Sequence, residues 1–453
     1  MTSFPMLRRL AGWTASAVGA TLLFTAATPA QAQEPAYIGD QPAATLLLPY
    51  FEVDLDNPAG ANTLFSVNNA SASAVLARVT LWSAMHVPVT AFDVYLTGYD
   101  MQTINVRDIL NGQLPRTASD GQDLIETSNP LDGISNQGLL SQDINFASCN
   151  AVLPIPALPQ STIDHLRAAL TGQASALAGN QCAAIADGTN VARGYITVDT
   201  TTQCSSLLPK DPGYFVSGGG GVASNQNILW GDVTYVNHLG GREGSDGSPL
   251  VHIRAFPGGS VGATNPTNPE TTSAGEYTFY GRLVNWTAAD NREPLATLFA
   301  TRFSTTGAYP VTTLTVWRDA KVNQDYFSCG SNPSWYPLGQ EGYAVFDEQE
   351  GFETVVTAPF APQPPGGASV AVFPQGTQRV QVGTQLPTTK TLGWLFLNLN
   401  VTVAGSANPP EDPTASQAWV SVHMKGSGRY GVGWHATQLD SARDAQHFTP
   451  GSF

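Results

Sequence analysis

Along most of this chain, apolar and polar residues alternate in short runs rich in β-branched and aromatic side chains, separated by clusters of Gly, Pro, Asn and Asp. A period of two sends successive side chains to opposite faces, so each run predicts a short antiparallel strand with one buried face. The runs are 45–53, 63–68, 75–82, 92–97, 194–200, 228–236, 277–286, 295–303, 311–317, 342–347, 392–403, 418–425 and 429–439. One segment departs from this period. In 161–170, Ile163, Leu166 and Leu170 recur at helical spacing behind Ser161, with Asp164 three residues after it, which predicts a helix capped by Ser161. Many short strands and almost no helix predict a mainly β protein of two immunoglobulin-like antiparallel β-sandwich domains. The expected boundaries are 33–145 for the first sandwich, 146–224 for a helix-containing insertion and 225–453 for the second sandwich. Stretches 217–227 and 257–273 are rich in Gly, Pro, Ser, Thr and Asn and read as loops.

The two sandwiches share an internal echo. Residues 56–65 read DNPAGANTLF and residues 290–299 read DNREPLATLF, a constant offset of 234. With one inserted residue, Thr80-Leu81-Trp82 then falls on Thr315-Val316-Trp317. Each copy offers an Asp-Asn turn, a strand, a polar connection and a second strand ending in Trp, as two copies of one β unit would. Trp82 and Trp317 are expected to pack between sheets.

Composition narrows the class. Only 12% of residues are charged, against about a quarter in typical soluble domains, and there are 44 Gly and 32 Pro. Four lysines, Lys210, Lys321, Lys390 and Lys425, cannot support long charged helices or coiled coils. A net charge of −15 excludes the basic face that nucleic acid requires and disfavours anionic lipid heads. At 42% hydrophobic and 9% aromatic, the chain can bury a large core, which argues against disorder.

The N-terminus reads as a Sec-type export signal: Arg8 and Arg9, an apolar run over 10–27, and small residues Ala30 and Ala32 before a cleavage point at Gln33. The residues flanking Arg8-Arg9 fit a twin-arginine signal poorly. Removing 1–32 takes away two arginines and no acid, so −15 becomes −17 over the remaining 421 residues. The best later apolar run, 392–403, is too short to span a bilayer and contains Asn398 and Asn400. The expected location is therefore the periplasm, the cell surface or the exterior. Cys149, Cys182, Cys204 and Cys329 fit two disulfides in an oxidising compartment, and their spacing is too wide for zinc knuckles or redox motifs. Four cysteines allow three pairings; the one expected is Cys149 with Cys182 and Cys204 with Cys329.

Catalytic motifs are incomplete. His86, Asp108 and the segment Gly244-Ser-Asp-Gly-Ser-Pro have the order of a chymotrypsin-type triad, but Asp246 stands at the nucleophile position, so no acyl-enzyme can form. Gly258-Gly-Ser-Val-Gly262 matches a nucleophile elbow without the helix that must follow it. No HxH or HExxH pair occurs. His423 and His435 share one expected hairpin; with Lys425 opposite Arg429 they lie roughly 13 Å apart, too far for one zinc ion. Hard oxygen ligands cluster at Glu52, Asp54, Asp56 and Asn57 and, in the echo, at Asp290 and Asn291. The metal expectation is weak calcium binding at Asp54, Asp56, Asn57, Asp290 and Asn291, although EF-hand spacing fails and an Asp-Asn pair also closes a turn without an ion.

Low charge and polar strand faces of Asn, Thr, Gly and Tyr, with no convergent catalytic set, point to an exported, non-catalytic binding or structural module with a glycan or protein ligand. The rival class is a secreted polysaccharide hydrolase using paired carboxylates among Glu341, Asp347 and Glu350. Two carboxyls in an aromatic cleft would favour the hydrolase. A flat exposed row of Trp or Tyr would favour glycan binding, and a continuous apolar patch a protein partner.

Overall fold

The computed structural model describes residues 41–115, 147–149, 153, 155–237, 244–255, 278–284, 289–305, 310–319, 325–338, 342–355, 372–399, 417–425 and 431–439. The expected signal at 1–32, the Gly258–Gly262 motif, the 257–273 loop and Glu341 lie outside them. The fold is mainly β and builds four antiparallel sheets. The strands are β1 (Thr45–Asp54), β2 (Asn62–Asn69), β3 (Val75–Ser83), β4 (Pro88–Leu96), β5 (Met101–Asn105), β6 (Val191–Thr201), β7 (Leu229–Trp230), β8 (Asp232–Val236), β9 (Ser245–Pro249) and β10 (Val251–Ile253). They continue as β11 (Leu298–Ser304), β12 (Thr312–Arg318), β13 (Gly342–Phe346), β14 (Phe352–Val355), β15 (Thr377–Gln381), β16 (Leu392–Asn398), β17 (Ala418–Lys425), β18 (Gly431–His435) and β19 (Thr437–Gln438). Two helices, α1 (Val106–Leu110) and α2 (Gln160–Thr171), accompany them.

Sheet I has the order β5-β2-β8-β9, with β7 also on β2; sheet II is β10-β1-β6-β3-β4; sheet III is β15-β12-β17-β18; sheet IV is β14-β13-β16-β11-β19. Alternation decides what lies between them. One core joins sheets I and II, with Phe65, Val67 and Val233 facing Leu46, Val79 and Ile196. A second joins sheets III and IV, with Leu314, Val316 and Val420 facing Phe299, Leu395 and Val345. The opposite faces of sheets II and III bury a third, aromatic cluster containing Trp82, Tyr195, Trp317 and Trp419, capped by Tyr214, Phe215, Phe279 and Tyr280. We call this contact the seam, and the sheet pairs on either side of it the first and second halves.

The echoed segments occupy matching layers. β2 and β11 lie in the outer sheets, I and IV, and β3 and β12 in the inner ones, II and III. The strand beside each echoed Trp supplies an aromatic partner at the same register: Tyr195 on β6 opposite Trp82, and Trp419 on β17 opposite Trp317. Both tryptophans pack between sheets, but between the halves rather than inside either core.

Several local features differ from expectation for identifiable reasons. β6, from the 146–224 stretch, is a central strand of sheet II, and β7 to β10 pair with strands of the first half. The run 228–236 divides into β7 and β8 at Gly231, where a side chain would overlap the Ser66 carbonyl. In the 277–286 run, residues 278–284 form turns that insert Phe279 and Tyr280 into the seam. Pro49 is tolerated inside β1 because the β1–β6 register shifts between Leu48 and Phe51. α2 starts at Gln160 with Pro159 as N-cap, not Ser161, and makes no side-chain cap bond; its buried face is Leu166, Ala169 and Leu170, and Gly172 at φ 75° ends it. The disulfides are Cys149–Cys204 and Cys182–Cys329, which replaces the expected pairing.

Candidate functional site

The carboxylates proposed for hydrolysis bring attention to the β13–β14 hairpin in sheet IV. Tyr343 and Val345 point into the core between sheets III and IV, so Phe346 points outward. Register places Phe346 opposite both Phe352 on β14 and Trp394 on β16, and Trp394 opposite Arg302 on β11. Phe346 and Trp394 stack nearly parallel at 4.3 Å and 10°, and Phe352 leans on Phe346 at 6.4 Å. Phe352 is 68% exposed and Trp394 38%. Arg302, opposite Trp394 in register, lies 5.0 Å over the ring of Trp434 on β18 of sheet III. Three aromatic rings thus stand side by side at one end of the outer face of sheet IV, where Phe352 and Trp394 reach solvent while Leu298, Ala344 and Phe396 of the same face are buried. Phe346 and Trp394 each cover one face of the other, while Phe352, tilted by 31°, stands more open.

The rim of this patch is charged but not poised for acid–base chemistry. Asp347 accepts from Lys390 Nζ at 2.7 Å and from the Gln349 and Gly351 amides at 2.9 and 2.8 Å. The Lys390 bond, with those amides, holds its carboxyl below the usual aspartate range. Glu353 accepts from the Thr389 amide and from the Thr388 and Thr389 hydroxyls at 3.1 Å, and the Thr389 amide leads in holding it low as well. A glycosidase needs one carboxylic acid whose affinity for its proton is raised, and these two are shifted the other way. Glu350 is exposed at the hairpin turn with φ 63°.

The calcium candidates separate into two environments. At the end of β1, Asp54 Oδ1 accepts the Asp56 and Asn57 amides at 3.0 and 3.1 Å, and Asn57 Oδ1 accepts the Ala59 amide at 3.0 Å, so the turn closes on its own backbone. Asp290 and Asn291 are instead buried at the seam. Asp290 accepts the Thr278 hydroxyl and, at 2.8 Å, the Tyr280 amide. Among the described residues, no group of three or more His, Cys, Asp or Glu side chains is arranged to hold a metal ion.

Buried charge that sequence reasoning missed gathers at the seam. Asp199 on β6 accepts from Thr45 at 2.5 Å, Tyr214 at 2.8 Å and Tyr280 at 3.0 Å, with the Arg292 guanidinium 3.8 Å away. Burial pushes the Asp199 carboxyl up, against the pull of Arg292 and these hydroxyls. Arg282 pairs with Asp319 at 2.7 Å and Arg78 with Asp93 at 2.9 Å. Asp246, at the failed nucleophile position, is buried on β9 and lies 2.6 Å from His423 Nδ1 on β17. Beside it, Arg379 pairs with Glu52 at 3.0 Å, and Glu52 accepts the Tyr50 hydroxyl at 2.8 Å. His86 takes Tyr195, not Asp108, at Nδ1. The β17–β18 register is also corrected: Lys425 lies opposite Gly431 and His435 opposite Ser421, so His435 is two residues from His423 along the strand rather than four. A low overall charge was the available signal, since each of so few arginines then has a high chance of being placed by the fold.

The chain matches no protein-family model, no curated protein and no solved structure. No described helix is long and apolar enough to cross a membrane.

Proposed function

We propose that this is an exported, non-catalytic binding module of two immunoglobulin-like sandwiches, which docks a protein partner at the cell surface or outside the cell through the aromatic face of sheet IV. The observation that carries the reading is the Phe352–Phe346–Trp394 row, with a phenylalanine 68% exposed at its end. Isolated apolar residues on a surface need no explanation, but a contiguous row of large rings costs hydration free energy unless it is covered. In the Phe346–Trp394 pair one face of each ring is already taken by the other, which leaves less open aromatic face for a sugar ring to stack on and favours protein over glycan. Arg302 and the Asp347–Lys390 pair supply the polar rim that such interfaces carry.

The test is a photo-crosslinking residue at position 352 of the full chain in its native host, with the same residue at position 234 on the outer face of sheet I as control. We expect position 352 to give discrete protein adducts that Trp394→Ala abolishes. Equal labelling from both positions overturns the reading, and saturable binding of neutral oligosaccharide to the same face transfers it to a glycan ligand. Fractionation tests export: soluble cytoplasmic protein with residues 1–32 intact overturns that part.

A further inference from the structure

One histidine is placed in the seam in a way that its chemistry makes conditional. His86 sits in the turn between β3 and β4 with φ 62°, a conformation that few non-glycine residues adopt. Its ring is fully buried and stands edge-on to Tyr195 of the first half at 5.3 Å, and to Trp317 and Trp335 at 6.0 and 5.5 Å. Gly376 of the second half makes room for it, since a Cβ there would overlap Nε2. The same glycine donates its amide to the Ala84 carbonyl at 3.1 Å, and its own carbonyl accepts the Arg318 amide at 2.7 Å. The turn is therefore a knob from one half seated in a socket of the other.

The polar contacts fix the protonation state that fits. Arg282 Nη2 donates to the Tyr195 hydroxyl oxygen at 3.3 Å, and that hydroxyl lies 2.9 Å from His86 Nδ1. The Tyr195 hydroxyl has one proton to give and the guanidinium can only donate, so Nδ1 can take that proton while the imidazole is neutral with its own proton on Nε2, and cannot once the ring is an imidazolium. The charged groups that bear on the ring are Arg282 on the linking segment, itself paired with Asp319, and Arg318 on β12, whose backbone favours a charge on the ring. Tyr195 on β6 is the other titratable neighbour; Trp317, Trp335 and Gly376 carry no charge. His423, the comparable buried histidine, has the Asp246 carboxylate at 2.6 Å instead.

We infer that His86 is an acid-sensitive latch: a proton on Nδ1 removes the acceptor for Tyr195, sets an imidazolium beside Arg282 and parts the two halves along the seam. Burial, reinforced by Arg282, keeps the closed-state imidazole well below its ordinary value, which agrees in direction. The sign follows. A histidine whose affinity for the proton is depressed in the closed state stabilises that state fully above about pH 6.5. Each pH unit below that multiplies the open-to-closed ratio by up to about tenfold, until the closed-state value is reached.

The experiment follows near-ultraviolet circular dichroism, which reports the seam tryptophans, and far-ultraviolet dichroism, which reports the sheets, from pH 8 to pH 4 in the full chain. The wild type should lose the near-ultraviolet signal first. His86→Gln should move that midpoint down by about one pH unit or more, while His423→Gln leaves the order of events unchanged. Gly376→Ala should open the seam at pH 7 with the sheets intact. An unchanged midpoint in His86→Gln, or loss of both signals together in the wild type, overturns the latch. Should His86→Gln not fold, nuclear magnetic resonance titration of the wild type decides, because an imidazole that protonates at or above 6.5 with the seam closed also overturns it.

Discussion

Asp56-Asn57 and Asp290-Asn291 open matching segments of the chain, yet their surroundings are opposite. The first pair sits in an exposed turn, where the Asp56 carboxylate accepts from the side-chain amide of Asn190 at 2.7 Å and Asn57 caps its own loop. The second is buried, and two residues on, where the first copy has exposed Pro58, the second has Arg292 at 1% exposure. That guanidinium donates to Thr45 Oγ1 at 2.8 Å, to the Asp290 carbonyl at 2.6 Å and to the Ser224 carbonyl at 2.9 Å. The strands that follow are alike, since Thr63 and Thr297 are both fully buried and Phe65 and Phe299 both enter a core. The core constrains a strand wherever it recurs. A turn is constrained only by what it meets, and one of these meets water while the other meets Asp199.

The largest expected difference between the copies is at Pro58 and Arg292. Arg292→Ala strips the counter-charge from buried Asp199 and should cost about 3 to 5 kcal/mol in urea unfolding, while Pro58→Ala should stay within about 0.5 kcal/mol. Equal effects would mean that the seam clamp is not stabilising. Next come the aspartates. Asp290→Ala leaves the Tyr280 amide and the Thr278 hydroxyl without their acceptor, for a loss of about 1 to 3 kcal/mol. Asp56→Ala should change stability by no more than about 0.5 kcal/mol, since its partner is exposed.

A pH comparison sharpens the contrast. Burial pushes the Asp290 carboxyl up, against the bonds from Thr278 and Tyr280. Beside the exposed turn, burial also acts to raise Asp187, but hydrogen bonds from Thr189 and attraction to Arg193 outweigh it and hold Asp187 low. The folded state therefore takes up the Asp290 proton before the unfolded chain does, so its contribution to stability grows as pH falls through the folded value. Asp187 contributes above the unfolded aspartate value and loses that contribution as pH falls through its own. Carboxyl titration by nuclear magnetic resonance should place the two midpoints on opposite sides of the aspartate value of about 3.9. The smallest effect is expected from chelation. The oxygens at Asp54 and Asn57 already accept backbone amides, so chelator should leave the melting temperature unchanged; a drop would show an ion in the first copy's turn.

Strands were legible where one face meets a core, as in 45–53, 75–82 and 418–425, because burial writes a period of two into the residues. β9 was not, since Ser245-Asp-Gly-Ser-Pro249 carries no aliphatic or aromatic side chain and is held by β8 on one side and contacts with β18 on the other. The echo and its tryptophans were visible, but that both face the seam depends on how the halves pack, which local pattern does not encode. The aromatic patch was half legible: Phe346 and Trp394 lie in recognised strands, yet their stacking depends on a register that joins residues 48 positions apart. Nothing distinguishes buried Asp290 from exposed Asp56 within the shared dipeptide itself, and Arg292 is the nearest residue that does.

The two disulfides interleave along the chain, since Cys182 lies between Cys149 and Cys204, while Cys329 lies beyond both. In a molecule pulled by its ends, tension entering at Cys149 crosses to Cys204, runs backward to Cys182 and leaves through Cys329. Of the span between Cys149 and Cys329, only the stretch from 182 to 204, a separation of 22, then carries load, and the rest of that span is slack. The loaded stretch contains β6, the strand hydrogen-bonded to both β1 and β3 in the middle of sheet II. Within the span that the disulfides bracket, the segment can therefore lengthen only when β6 shears from β1 and β3, whereas β1 to β5 before Cys149 and β13 to β19 after Cys329 extend without a covalent limit.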